Sequence, residues 1–107
     1  MDPFDESRYL VDMYADQYFP RFLVDKIRDL IKSGVAVLES GERDPEVIQE
    51  TFDTITVAIN DLEDEFYENG SEIETMARDS IGQTVIDIIA HFDLDLDVED
   101  LLAQREW

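Results

Sequence analysis

Residues 44–74 read DPEVIQETFDTITVAINDLEDEFYENGSEIE, and this stretch decides the fold. Ile48, Phe52, Ile55, Ile59, Leu62 and Phe66 recur at steps of four and three, the spacing of one helical face. Asp44 is placed to cap the first free amides, Pro45 suits the first helical position, and Asn69-Gly70 supplies a left-handed stop. Ser71-Glu72-Ile73-Glu74 then has the form of a capping box, its serine bonding the amide three residues on while Glu74 reaches back. One helix is therefore expected over residues 44–69 and the next over 71–92, an antiparallel pair joined by a tight turn.

Outward from this pair, the apolar set of the second helix (Ile73, Met76, Ala77, Ile81, Val85, Ile88, Ile89 and Phe92) is broad, as for a central helix buried on more than one side. Upstream, Leu23, Ile27, Leu30, Ile31, Gly34 and Leu38 describe a third amphipathic helix over residues 20–40, ended by Gly41. The short loop after it makes it an antiparallel neighbour of the 44–69 helix. Residues 1–19 carry Tyr9, Leu10, Met13, Tyr14, Tyr18 and Phe19, too apolar for a free tail, so a packed N-terminal segment is expected. Residues 98–105 form a short last helix. The expected fold is one all-α domain over residues 1–107: a small antiparallel bundle of three main helices, a short C-terminal helix and the packed N-terminal segment.

The 107 residues include 44% hydrophobic side chains, enough for a core of a single domain. There is no cysteine, so neither a disulfide framework nor a thiolate site is available. The acidic N-terminus is unlike a signal peptide, and no apolar run approaches ~18 residues, so a cytoplasmic protein without membrane association is expected. The net charge of −20 is uneven: residues 1–43 hold nine acids and six bases, whereas residues 44–107 hold nineteen acids and two bases, Arg78 and Arg105. Nucleic acid is therefore an unfavourable partner and a cationic protein a favourable one.

The acids at Asp93, Asp95 and Asp97 match the first ligand positions of a calcium loop, but Val98 stands where that loop needs glycine and Gln104 where it needs a bidentate glutamate. Asp97 fits better as the cap of the last helix, with Leu94, Leu96 and Val98 alternating inward. The single histidine, His91, ends an apolar helix, where a packed or dipole-facing role outweighs catalysis. Arg78 suits an ion pair with Glu74 or with an acid of the preceding helix. No phosphate loop, nucleophile–base pair or metal spacing is present, so no cofactor and no enzymatic activity are expected.

Residues 13–20 (MYADQYFP), 23–26 (LVDK), 69–75 (NGSEIET) with Ala77 and Arg78, and 99–107 with Arg105 together resemble a family of small acidic bacterial proteins of unknown function. The resemblance spans most of residues 13–107. It implies a bacterial, cytoplasmic protein and carries over no activity and no catalytic residues. The charge pattern itself leads to a non-enzymatic binding protein, an immunity protein or inhibitor that neutralises a basic toxin or nucleic-acid-binding partner. Its contact residues are expected at Asp61, Asp64, Glu65, Glu68, Glu72, Asp93, Asp95, Asp97 and Asp100. The alternative is a self-associating structural or regulatory module, a homodimer that buries Tyr9, Tyr14, Tyr67 and Trp107.

Overall fold

The computed structural model describes residues 2–107. In chain order it consists of a 3-10 turn at Glu6–Arg8 and the helices α1 (Val11–Ala15), α2 (Arg21–Glu39), α3 (Pro45–Asn60), α4 (Glu63–Glu68), α5 (Thr75–His91) and α6 (Val98–Leu101). The chain is therefore all-α among the described residues, with α2, α3 and α5 as the three long helices.

Asp44 caps α3 by accepting the Glu46 amide at 2.9 Å, with Pro45 at the first position. The helix buries Ile48, Phe52, Ile55 and Ile59 and packs most closely on α2, which presents Leu23, Ile27, Ile31, Val35 and Leu38. Gly34 permits that approach: a Cβ there would stand 2.7 Å from Ile55 Cδ1. α1 packs chiefly on α5, while α6 lies against both α3 and α5.

Three expected boundaries are corrected. The helix expected over residues 44–69 bends at residues 61–62 and becomes α3 and α4. The Leu62 amide bonds Ile59 O at 2.9 Å in a tighter turn. The Asn60 side chain is taken up by the C-terminal tail, donating to Gln104 O at 2.8 Å and accepting the Glu106 amide at 2.9 Å. The bend still delivers Phe66 into the core.

The capping box at Ser71 does not form. Gly70, at φ +75°, closes α4 in a Schellman motif: the Gly70 amide bonds Tyr67 O at 3.1 Å and the Ser71 amide bonds Phe66 O at 2.9 Å. That geometry engages Ser71 as the residue after the stop, so residues 71–74 precede α5 as a non-helical connector that buries Ile73. The turn between the second and third long helices is thus an extended passage through α4. Finally, the helix expected over residues 98–105 is only Val98–Leu101, followed by turns. α5 buries Ala77, Ile81, Val85 and Ile88 but leaves Met76 48% and Ile86 43% exposed, so it is less enclosed than a central helix.

The N-terminal segment is packed as expected. Phe4, Tyr9, Leu10 and Met13 join the core, and Leu10 is fully buried at φ +48°. A non-glycine residue in the left-handed region costs roughly 1–2 kcal/mol and needs support from its surroundings. Thr84 supplies it: its hydroxyl accepts the Leu10 amide and donates to Ser80 O, each at 2.9 Å. His91 Nε2 lies 2.7 Å from Asp2 O, and its ring meets Phe4 edge-on. The histidine is therefore a docking point for the segment.

Candidate functional site

The expected contact acids fall into two groups set by α3. At its C-terminal end, Asp61 is exposed beyond the helix, Asp64 and Glu68 stand exposed on α4, and Glu72 is exposed in the connector before α5. Glu65 differs, because it is half-buried and bonded to Lys26 of α2 at 2.5 Å. Tyr18 belongs to this group: burial and then the charges of Glu74 and Glu72 push its hydroxyl above the usual tyrosine range. Glu63 and Glu106, which are not among the expected contact residues, also lie here. Burial first, then the Glu106 and Asp64 carboxylates, raise the Glu63 carboxyl. Glu106 reaches this end because Asn60 holds the tail along α3, a placement with no local signal.

The second group lies at the other end. Gln49, near the start of α3, donates to Asp100 O at 2.8 Å. Asp95, Asp97 and Asp100 line an open cleft of about 570 Å³ with Gln49, Ile86 and Ile89. Gln49 and Asn60 are eleven residues apart, so roughly 16 Å of helix separates the two groups. Within the cleft, Asp97 accepts the Glu99 amide at 2.9 Å and caps α6. Asp93 stands apart from it, in a left-handed stop at φ +53°: its amide bonds Ala90 O and the Leu94 amide bonds Ile89 O at 2.9 Å. Its acidity therefore has a backbone reason, since Asp and Asn tolerate that conformation better than most residues.

Sequence reasoning placed Arg78 in an ion pair with an acid. Instead its Nε donates to a main-chain oxygen of Trp107 at 3.3 Å, and no Asp or Glu carboxylate lies within ion-pair distance among the described residues. Arg105 binds Glu99 at 3.0 Å. Of the nineteen acids in residues 44–107, Glu65, Asp87 and Glu99 pair with a cation, which leaves sixteen without one among the described residues. Of the aromatics proposed for self-association, Tyr9 and Trp107 are buried and Tyr14 is partly buried against the core; only Tyr67, 72% exposed, is available.

Among the described residues no group of three or more His, Asp or Glu side chains is arranged to hold a metal ion, and no helix is long and apolar enough to cross a membrane. The model of a family of unknown function, DUF5713, matches residues 4–107, nearly the whole chain. The chain belongs to that family. The DUF5713 match takes in both acidic groups and the tail that carries Glu106. Comparison with curated proteins and with solved structures returns no match.

Proposed function

We propose that this DUF5713 protein is a non-enzymatic acidic binding protein that acts in the bacterial cytoplasm by docking a basic protein partner. Neutralising a toxin or a nucleic-acid-binding protein is the role that such a surface serves best. The observation that carries the reading is the set of sixteen acids in residues 44–107 that have no cation partner among the described residues, concentrated at the two ends of α3. Unpaired exposed carboxylates repel one another and cost stability, and a cationic surface relieves that repulsion on binding. Two anionic groups about one short helix apart suit a basic cleft that normally follows a nucleic-acid backbone, and steering by charge makes association fast and salt-dependent. Self-association has less support, because the core already engages most of the aromatics it needs.

The test is a pull-down from host lysate with tagged protein at low and moderate salt, repeated with Asp61→Lys, Asp64→Lys and Glu68→Lys combined. Glu65 is left intact because its bond to Lys26 serves the fold. A basic protein should be captured by the parent, released by salt and absent from the reversed variant. Capture that survives the reversal, or recovery of the protein's own copies alone, would contradict the reading.

A further inference from the structure

The cleft near the start of α3 is more than a cluster of acids, because its floor is apolar. Ile86 and Ile89 stand three positions apart on one face of α5, and Leu96 and Val98 line the same cleft from the chain that returns after Phe92. None of the four is buried: Ile86 is 43% exposed, and Ile89, Leu96 and Val98 are half-buried. The cavity of about 570 Å³ is within the ~300–1,000 Å³ usual for ligand pockets, and its aliphatic surface favours an occupant with an apolar group to cover it. The rim has the opposite character. Asp95, Asp97 and Asp100 are exposed, and none pairs with a cation among the described residues. Gln49 closes the α3 side, its side-chain amide held by the Asp100 carbonyl at 2.8 Å and the Asp53 carboxylate at 2.9 Å.

The backbone along this rim is also open. The Leu94 amide bonds Ile89 O, but the Asp95, Leu96 and Asp97 amides have no main-chain partner among the described residues, and Asp97 is extended at φ −103° and ψ 136°. Extended backbone with free amides takes a second extended segment alongside it, with alternate side chains set into pockets. We propose that this cleft receives an extended basic segment of the protein partner, with an aliphatic side chain on Ile86 and Ile89 and a lysine or arginine on either side meeting Asp95 and Asp100. Charge complementarity selects that occupant. A neutral segment leaves the carboxylates of the rim unrelieved, and a second copy of this chain, at a net charge of −20, adds to their repulsion. The inference rests on the docking reading and deepens it: the cleft anchors the partner, whereas the acids around Asp61 steer it.

The probe is the tripeptide acetyl-Lys-Ile-Lys-amide, titrated into isotope-labelled protein and followed by NMR amide shifts. At ~3.3 Å per residue it cannot bridge acidic groups roughly 16 Å apart. The shifts should saturate and gather at Ile86, Ile89 and residues 95–100. Acetyl-Lys-Ser-Lys-amide, and the Ile86→Ser variant, should each bind more weakly by about fivefold or more, the scale of one aliphatic side chain taken out of water. Asp95→Asn with Asp100→Asn should weaken binding by about threefold or more, the scale of two exposed ion pairs. Asp61→Asn with Asp64→Asn, the same loss of charge at the other end, should change it by less than about twofold in ~0.1 M salt, which screens charges beyond ~10 Å. The substituted side chains are all exposed, and Met76→Ser, on the same helix but outside the cleft, should leave the affinity unaltered. The serine peptide is compared on the parent protein, so the proposal remains testable if a variant does not fold. Equal losses from the two acid pairs, equal binding of the serine peptide, or no effect of Ile86→Ser would each overturn the cleft assignment and leave the docking reading standing on charge alone. Failure of the lysate capture would overturn the docking reading and leave these peptide affinities unaltered.

Discussion

Replacing Thr84 by valine tests how the N-terminal segment is held. The substitution keeps the side-chain shape and removes one hydroxyl, so it opens no cavity. What it removes is the acceptor for the Leu10 amide, in a core where Leu10 is fully buried and Thr84 nearly so. An orphaned buried donor costs about 1–3 kcal/mol, whereas the Ser80 carbonyl that loses the Thr84 hydroxyl keeps its place in the helix ladder. Leu10 also sits in the left-handed region, a conformation that its surroundings must support. The expected loss is therefore about 1–3 kcal/mol, or about 4–12 °C in Tm at about 4 °C per kcal/mol for a chain of this length. Urea unfolding followed by far-UV circular dichroism measures it, with Thr84→Ser as the variant that retains the hydroxyl. A Thr84→Val protein within about 0.5 kcal/mol of the parent, the range of an ordinary surface substitution, would refute the claim that this bond supports the Leu10 conformation.

Two further outcomes follow from the acidic end of α3 and from the stop of α5. Because the folded Glu63 carboxyl titrates above its unfolded value, its contribution is present at low pH and is lost as pH rises through the folded value; Glu63→Gln should therefore raise Tm at neutral pH and lose that advantage near pH 4, which thermal melts across the range would detect. Asp93→Val places a β-branched residue at φ +53° and should cost about 1–2 kcal/mol in urea unfolding, while Asp93→Gly should cost little or stabilise; equal effects of the two would remove the backbone explanation for Asp93.

The long helices were legible because their signals are local. Apolar spacing, the Asp44 cap and Pro45 all act within one or two turns, and α2 and α3 begin and end within a residue or two of expectation except at Asn60. What local signals could not reveal was decided by residues far along the chain. The bend after Asn60 accompanies two hydrogen bonds to residues 44 and 46 positions away. At residues 71–74 two local signals competed, and the glycine stop prevailed over the capping box because Gly70 had already directed the Ser71 amide back to Phe66. The candidate acids divide in the same way. Their exposure was readable from charge alone, but Glu65 as a bridge to Lys26 and Asp93 as a turn residue required the fold. The cleft lined by Ile86 and Asp95 required it too, since only the path of the chain after Asp93 lays residues 95–98 beside Ile86 and Ile89.

The Leu10–Thr84 bond joins residues 74 positions apart, and the His91–Asp2 contact joins residues 89 positions apart. Helix hairpins such as α2 with α3 form from near neighbours and close small loops, whereas a contact across most of the chain must first confine all the residues between its ends. Each doubling of a loop adds only about 0.6 kcal/mol of closure entropy, so the native state tolerates this arrangement easily. The effect falls on kinetics. A bundle whose first turns dock on its last long helix raises its contact order above that of a plain three-helix chain and refolds more slowly than its helix content alone would suggest.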